Sequence, residues 1–232
     1  MKIRALALLL TFLLLCMVAV GCKKEDEAPS DEAPAPTEPV ETPDYMDAGD
    51  IEDGTLTWEI YPDGTLYIKG NGGMTDFIIG SQQGDKNQPW EGYLSSIKKV
   101  VVEDGVTRLA QFSFKHCINL QEVVLGKGIT EITEYCFSDC YSLKKVEAKN
   151  VTVLKEFALE NCLRLESLTL SASLSRVEQG ALSGACEEGT GLAVKLAGTQ
   201  SEWEAAACEI TDAEYSEKYL ADALQAADFV AK

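Results

Sequence analysis

Residues 97–186 repeat one arrangement of apolar and polar positions four times. The four lines begin at Ile97, Leu120, Leu143 and Leu165, so the spacings are 23, 23 and 22 residues. Each line opens with apolar residues at alternating positions, which predicts a short strand with one buried and one exposed face. A period of about 20 to 29 residues is typical of solenoids built from leucine-rich units. The pattern therefore predicts a stack of four similar coils.

Three further positions recur in every line, and they predict columns of side chains in the core. One unit cannot bury its own apolar residues, whereas coils stacked at about 4.8 Å bring equivalent residues together. At least three copies are usually needed. The columns are an apolar pair (Val106 and Leu109, Ile129 and Ile132, Val151 and Leu154, Leu174 and Val177), a larger position (Phe114, Phe137, Leu159, Leu182) and a small one (Cys117, Cys140, Cys162, Ala185).

The second line carries the motif most completely, in Leu120, Val123, Leu125, Ile129, Thr130, Ile132, Cys136, Phe137 and Cys140. This motif resembles the BspA-type leucine-rich repeat of bacterial surface proteins, and with its flanking caps the resemblance spans roughly residues 55–205. It implies a repeat solenoid, namely a short β-ladder with an N-terminal β-hairpin cap and a C-terminal strand and helical cap. It also implies adhesion to host or microbial proteins. In the last repeat, Gly180 and Leu182 replace aromatic residues, as terminal repeats often do.

Residues 1–21 have the pattern of a lipoprotein signal peptide. A basic start precedes the 16-residue apolar run Ala5–Val20, which is shorter than the ~20 residues that cross a membrane. The run ends in Ala-Val-Gly-Cys, which resembles the lipobox at which signal peptidase cuts before a cysteine that receives lipid. We therefore expect lipidation of Cys22 and attachment to the membrane, exposed outside the cytoplasm. The alternative is an uncleaved anchor in which Cys22 is an ordinary thiol.

Residues 22–53 are acidic and hold five of the seven prolines. Such a segment has few large apolar residues and cannot offset the entropy of ordering, so we expect a disordered tether. Fully extended, it would reach on the order of 100 Å. The acidic run lacks the spacing of a calcium-binding loop, so a solvated spacer is the preferred interpretation.

The repeats are predicted to lie between two caps, at residues 54–96 and 187–232. Thr55–Lys69 alternates around a Pro-Asp-Gly turn and predicts a β-hairpin. Leu192–Leu196 predicts a further strand, and Thr199 begins a capping box. A second box at Thr211 and the alanine-rich sequence after it predict a helix from Ala213 to Val230. We expect its apolar stripe (Tyr219, Leu220, Ala223, Leu224, Ala227) to pack on the core, although a partner-binding helix is the alternative.

The net charge of −18 becomes −20 once the leader's two basic residues are removed. A surface this acidic argues against nucleic acid as a partner. Apart from Cys16 and Cys22, the cysteines are best interpreted as small buried hydrophobes. Disulfides between stacked coils and a zinc site remain as alternatives, although the cysteine spacing fits no zinc finger. These cysteines are Cys117, Cys136, Cys140, Cys162, Cys186 and Cys208.

No constellation of residues predicts catalysis or a cofactor. His116 is the single histidine and adjoins Cys117, but that cysteine belongs to a repeat column, so we expect His116 to face solvent. The remaining candidate is the outward face of the ladder, which solenoids commonly use for binding. We predict a monomer that contacts a protein partner there. The alternatives are a solvated sheet whose charges neutralise each other, a carbohydrate-capturing lipoprotein and an envelope scaffold. The predicted contact residues are Lys98, Lys99, Val101, Gln121, Val124, Lys144, Lys145, Lys149 and Thr169.

Overall fold

The computed structural model describes residues 44–51, 54–77, 87–186, 191–211, 222–224 and 226–232. The predicted signal peptide, Cys22 and residues 22–43 of the predicted tether lie outside these ranges, as does most of the predicted second helix. No helix among the described residues is long and apolar enough to cross a membrane.

Strands account for most of the described regular structure. The α-helix α1 spans Gln200–Ala206, residues 222–224 are also helical, and a short 3-10 turn lies at Glu91–Tyr93. The strands are β1 Asp47–Ile51, β2 Leu56–Ile60, β3 Thr65–Gly70, β4 Gly72–Gly73, β5 Lys99–Val102, β6 Val106–Arg108, β7 Glu122–Val124, β8 Glu131–Ile132, β9 Lys145–Glu147, β10 Val153–Leu154, β11 Ser167–Ser171, β12 Arg176–Val177, β13 Ala193–Ala197, β14 Glu209–Ile210 and β15 Asp228–Val230.

The opening strands of the four repeats lie side by side as a parallel ladder. Within the described residues the larger sheet has the order β1-β2-β3-β5-β7-β9-β11-β13-β15. Equivalent repeat positions are in register: Val100 pairs with Val123, and Val123 pairs with Val146. A second sheet, β8-β10-β12-β14, joins the second apolar segments of the last three coils to the carboxyl-terminal cap, while β6 of the first coil pairs with β4 instead. The predicted solenoid is therefore confirmed.

The core consists of the predicted columns. Phe114 and Phe137 stack with ring centroids 5.2 Å apart and planes 9° apart. Trp90 extends the same column on the amino side, where its ring stacks 5.4 Å from that of Phe114 and so packs on the first coil. Both phenylalanines, the tryptophan and all eight members of the apolar pairs are fully buried. Stacking at this spacing adds to the energy of apolar burial, which dominates the stability of the coil.

The cysteine column hydrogen-bonds to the backbone of neighbouring coils. The thiol of Cys140 donates to the carbonyl of Phe114 (3.2 Å), and that of Cys162 donates to the carbonyl of Phe137 (3.4 Å). Burial raises the pKa of the Cys136 thiol to about 12, and it raises those of Cys117 and Cys140 strongly. The six described cysteines are free thiols. The interpretation as buried hydrophobes holds for Cys117, Cys136, Cys140 and Cys162, but it is wrong for Cys186 and Cys208, which are only partly buried.

The amino-terminal hairpin is confirmed, but the predicted tether is wrong at its carboxyl end. β2 and β3 pair antiparallel around the predicted turn. β1, which we expected to be disordered, pairs antiparallel with β2 at the edge of the sheet. It is held there because Ile51 is buried and because Gly49 lies against the Trp58 indole, where an added Cβ would approach Nε1 to 2.8 Å. β1 is ordered although it has few apolar residues, because its backbone groups form hydrogen bonds with the edge of β2.

The carboxyl-terminal cap agrees with the sequence up to α1. Thr199 accepts a hydrogen bond from the Glu202 amide, and the Glu202 carboxylate accepts one from the Thr199 amide, so the capping box is present. The helix predicted to reach Val230 is wrong at its end, because β15 pairs in parallel with β13. Tertiary pairing overrides helix propensity there. Leu224 is buried, and Ala223 and Ala227 pack on the core, which supports core packing for this part of the stripe.

Candidate functional site

The outward side chains of β5, β7 and β9 form a continuous surface, called here the ladder face. Strand alternation produces it: Val100, Val123 and Val146 point inward and are fully buried, so their neighbours point outward. Two outward rows cross the strands in register. One row holds Lys99, Glu122 and Lys145, and the other holds Val101, Val124 and Glu147. The structure thus brings the predicted contact residues of these strands together.

Two of the predicted lysines are neutralised by carboxylates of the same face. Lys99 Nζ lies 2.8 Å from Glu122, and Lys145 Nζ lies 3.2 Å from the other oxygen of Glu122. Lys145 also contacts Glu147. Hydrogen bonds from Lys99 and Lys145 hold the pKa of Glu122 below its usual range, despite partial burial. This part of the ladder face is an alternating network of charges, as in the solvated-sheet alternative.

Other predicted lysines remain outside this network. Lys98, Gln121 and Lys144 are exposed at the starts of β5, β7 and β9. Among the described carboxylates, none lies within ion-pair distance of Lys98 or Lys144, while the Lys149 ammonium donates to the carbonyl of Ala231 (3.4 Å). Lys98 and Lys144 therefore add positive charge along the strand-entry edge of the ladder face, while Lys195 is exposed farther along the sheet, on β13.

Thr169 is wrong as a contact residue, because its exposed fraction is only 6%. Thr169 lies on β11, and its partners in register are Glu147 on β9 and Lys195 on β13. The short threonine side chain is covered because long side chains flank it on both strands. Thr169 therefore interrupts the accessible surface between β9 and β13, where Lys195 is exposed again.

Sequence reasoning missed the continuation of this face onto the hairpin. Tyr67 pairs in register with Val101, so Tyr67, Val101 and Val124 form one partly exposed apolar row. Tyr61 packs edge-on against Tyr67 (centroids 5.4 Å apart). Met46, 51% exposed, precedes β1 opposite Tyr61. The alternating sequence of β3 is a signal that could have shown that Tyr67 points outward, but only the observed register shows which repeat residue it adjoins.

The tyrosines of the hairpin are held by fixed polar contacts. Glu59 accepts from the Tyr61 hydroxyl (2.8 Å) and from Lys69 (2.7 Å). The hydrogen bond from Lys69 is the main cause that lowers the pKa of Glu59, so this carboxylate is ionised. Lys69 also lies over the Tyr67 ring, 5.4 Å from its centroid. These contacts restrict the rotamers of the aromatic side chains, which lowers the entropy that binding would cost.

A second aromatic ladder runs along another side of the solenoid, but its ring faces are already occupied. Phe112 stacks on Tyr135 (5.1 Å), and Tyr135 stacks on Phe157 (5.0 Å). Lys115 lies 4.9 Å from the Tyr135 centroid. The far side of Phe157 is covered by Gly180, since an added Cβ would meet its ring at 2.3 Å. This ladder has a structural role, and both faces of its inner ring, Tyr135, are occupied by the stacked rings on either side.

The possible Cys-His pair is not assembled into a reactive site. The His116 side chain is 61% exposed, and its Nδ1 lies 3.4 Å from Asp139, whereas Cys117 is fully buried. Burial raises the pKa of the Cys117 thiol, so it is protonated at neutral pH. Asp139 accepts from the Asn161 amide (2.8 Å) and acts as a structural hub. Among the described residues, no group of His, Cys, Asp and Glu could hold a metal ion.

Comparison with known proteins agrees with the repeat architecture. Residues 92–189 match a family model that is described as a BspA type leucine rich repeat region of six copies. No curated protein matches the chain. Solved structures similar to it include a leucine-rich repeat protein from Eubacterium ventriosum ATCC 27560 (18% identity, TM-score 0.39, 74% of this chain and 46% of that one). A leucine rich cell surface protein from Faecalibacterium prausnitzii A2-165 is another (17%, 0.33, 69% and 53%). A third is the T. pallidum leucine rich repeat protein (15%, 0.37, 79% and 100%). This chain thus spans about half the length of the first two.

Proposed function

We propose, from the BspA-type leucine-rich repeat region that this chain carries at residues 92–189, that it is a lipid-anchored surface protein that binds another protein without catalysis. The observation that carries the proposal is the continuous outward face from β3 to β9, with its partly exposed row Tyr67, Val101 and Val124. An apolar centre rimmed by polar and charged residues is typical of protein contact sites.

Attachment through Cys22 would place this face outside the cytoplasm. Proteins of the BspA type are typically found on the cell surface, and one similar structure is named a cell surface protein. The lipobox-like Ala19-Val20-Gly21-Cys22 supports the lipid, and the acidic proline-rich sequence after it supports a spacer. An anchor would also raise the overall avidity of weak contacts, because many anchored copies on one surface can bind the same partner surface at once.

Exchange of the two unpaired lysines tests the contact function. We expect Lys98→Glu with Lys144→Glu to reduce binding by at least about fivefold, since charge reversal adds repulsion to the lost attraction. The measurement is capture of host matrix proteins and envelope extract by the immobilised chain that begins at residue 22, followed by titration of each identified partner.

The matched control is Lys127→Glu with Arg176→Glu, which changes the net charge equally but replaces cations that contact Asp104 and Glu209 away from the face. If both double variants bind as the wild type does, the ladder face is not the contact site. If no partner is captured by any form, the contact function itself fails.

A carbohydrate-capturing role is the second candidate, and one observation favours it. The ladder strands present no outward aromatic residue, but the hairpin adds Tyr61 and Tyr67 beside the ionised Glu59. Aromatic rings next to fixed polar groups can hold a sugar. Titration with a panel of neutral oligosaccharides tests this candidate: it predicts a loss of sugar binding in Tyr67→Ala, with Tyr141→Ala as an exposed aromatic control.

A further inference from the structure

Building on the proposed contact function, we propose that the ladder face selects an acidic protein segment with apolar side chains. Two parallel tracks of the face would hold it. The apolar track is Tyr67, Val101 and Val124, and the cationic track is Lys98 and Lys144 with Gln121 between them. Neither track belongs to the neutralised network of Lys99, Glu122, Lys145 and Glu147.

The apolar track crosses three neighbouring strands without interruption. Its members are Cα partners in register on β3, β5 and β7, so adjacent members lie about 4.8 Å apart. Each is partly exposed, and Tyr61 widens the track at its amino end. Glu147 follows Val124 in the row and ends the track. A ligand must therefore present apolar groups over roughly 10 to 15 Å along the solenoid axis.

The cationic track borders the ladder face: its residues immediately precede β5, β7 and β9, three residues before the apolar row, and they are exposed there. At about 3.3 Å per residue, the two tracks are roughly 10 Å apart. Lys98 and Lys144 belong to strands separated by one other, so they are about 10 Å from each other. This spacing allows two carboxylates of one segment to face the two lysines while its apolar groups cover the other track.

Charge distribution argues for an acidic ligand. Carboxylates outnumber cations 38 to 20 in this chain, and many cations elsewhere in the described part form ion pairs with them. Arg108 is 2.6 Å from Asp76, and Lys155 is 3.1 Å from Glu178. After the hydrogen bonds from Thr65, which are the main cause, the charge of Lys98 also helps to lower the pKa of Asp63. In such an excess of carboxylates, lysines with no described carboxylate within ion-pair distance nevertheless mark an area where a negatively charged partner is less repelled.

The apolar track argues that the ligand is a protein and not a sulfated polysaccharide or nucleic acid, because those polyanions would leave three apolar side chains uncovered. Size argues against a second copy of this chain. The face measures on the order of 20 Å by 10 Å, so two copies would bury far less than the ~1,200 Å² of a stable pair. A monovalent contact of this area is weak, with a Kd in the micromolar range or above.

Synthetic peptides of about eight residues provide the test, since extended chain advances about 3.3 Å per residue. One peptide alternates glutamate with valine, a second replaces glutamate with lysine, and a third replaces valine with serine. The target is the chain from residue 22 onward with Cys22→Ser. We expect only the first peptide to shift the amide NMR signals of Tyr67, Val101 and Val124, and we expect its binding to weaken as salt rises.

Variants separate the two tracks. Val101→Thr with Val124→Thr keeps strand propensity but removes apolar surface, and Lys98→Glu with Lys144→Glu removes the cations. We expect each pair to weaken binding of the glutamate-valine peptide by at least about fivefold, while Lys127→Glu with Arg176→Glu leaves it unchanged. An unchanged circular dichroism spectrum and melting temperature would show that the variants are folded.

Three results would overturn the inference: binding of the lysine or serine peptide as tight as that of the first, equally tight binding of dextran sulfate to the same residues, or self-association of the chain through this face in sedimentation. A captured natural partner whose binding ignores both tracks would also overturn it and would leave the general contact function standing. Capture of no partner at all would instead remove the proposed function.

Discussion

Several bulky residues of this chain adopt the left-handed backbone conformation at the same point of successive coils. Phe112, Tyr135 and Phe157 have φ of 59°, 53° and 54°, and Gly180 continues the series at 64°. This conformation costs non-glycine residues about 1–2 kcal/mol each, and the stacked rings help to offset that cost. In the last coil no aromatic residue is needed, because the backbone of Gly180 itself covers the Phe157 ring.

Gly180→Ala should therefore destabilise the fold. The new Cβ would lie 2.3 Å from the Phe157 ring and would also carry the left-handed penalty. We expect a loss of about 2–4 kcal/mol in the free energy of unfolding, measured by urea denaturation. Gly191→Ala is the matched control, since Gly191 has φ of 74° but nothing within 4 Å. Equal losses in both variants would show that the ring contact is unimportant.

Because of the buried thiols, we expect the free energy of unfolding to fall as the pH becomes alkaline. Burial raises the pKa of Cys117, Cys136, Cys140 and Cys162 in the folded chain. Their stabilisation is complete below the unfolded pKa of about 8.5 and is lost as pH rises above it, because only the unfolded chain then releases these protons. Each thiol should contribute up to about 1.4 kcal/mol per pH unit.

Urea midpoints measured at pH 8, 9 and 10 test this dependence. Cys162→Ala should lower stability at pH 8, and its stability should decline less steeply with pH, by up to about 1.4 kcal/mol per pH unit, because one proton-binding difference between the folded and unfolded chain is gone. Lysines and tyrosines titrate in both proteins, so the difference between the two slopes isolates the thiol. Parallel slopes would contradict the assignment of Cys162 as a buried, protonated group.

At the scale of elements, the repeats were predictable and the sheet edges were not. Strand alternation and the recurring columns predict that Phe114 lies beside Phe137, because equivalent positions of a repeat must meet when coils stack. β1 escaped prediction because its sequence, Asp-Ala-Gly-Asp-Ile, has little strand propensity. β15 escaped because alanine-rich sequence favours helix locally. Both segments are strands because each forms backbone hydrogen bonds with a neighbouring strand, β1 with β2 and β15 with β13.

In the candidate site, the sequence likewise predicted only those features that follow from the repeat pattern. Alternation placed Lys99, Val101 and Val124 outward, but it could not show that Glu122 contacts Lys99 and Lys145, since side-chain pairing depends on rotamers. The tyrosines were missed because the hairpin lies outside the repeat, so its register with β5 had no sequence signal. The burial of Thr169 follows from its long neighbours across two strands.

The cap of α1 provides a test at the same scale. Removal of the Thr199 hydroxyl in Thr199→Ala leaves the Glu202 amide without its acceptor, which should cost about 1 kcal/mol. Hydrogen exchange of the amides in residues 200–206 is the sensitive measurement, and exchange there should quicken. Ser201→Ala, within the helix but outside the capping box, should leave the exchange of these amides nearly unchanged; similar effects in the two variants would refute the cap.

At the scale of the whole molecule, the proposed anchor determines where the ladder face can act. Cys22→Ser should abolish incorporation of labelled fatty acid and shift the protein from the membrane fraction to the soluble or secreted fraction, because the lipid provides the membrane affinity. Cys208→Ser, which leaves the lipobox intact, is the matched control. Continued membrane association of the Cys22→Ser protein would favour the uncleaved anchor.

The edge position of β1 has a mechanical consequence. Beyond Asp44 the chain leads to the proposed attachment point, so a load between the surface and a bound partner enters the folded part through this strand. Directed across the strands, the load would open the β1–β2 pairs one after another, from Asp47 and Ile60 towards Ile51 and Leu56. The last pair, Ile51 with Leu56, is the one in which both side chains are buried. β1 would thus yield under force before the ladder does, and it would lengthen the connection while the binding surface stays intact.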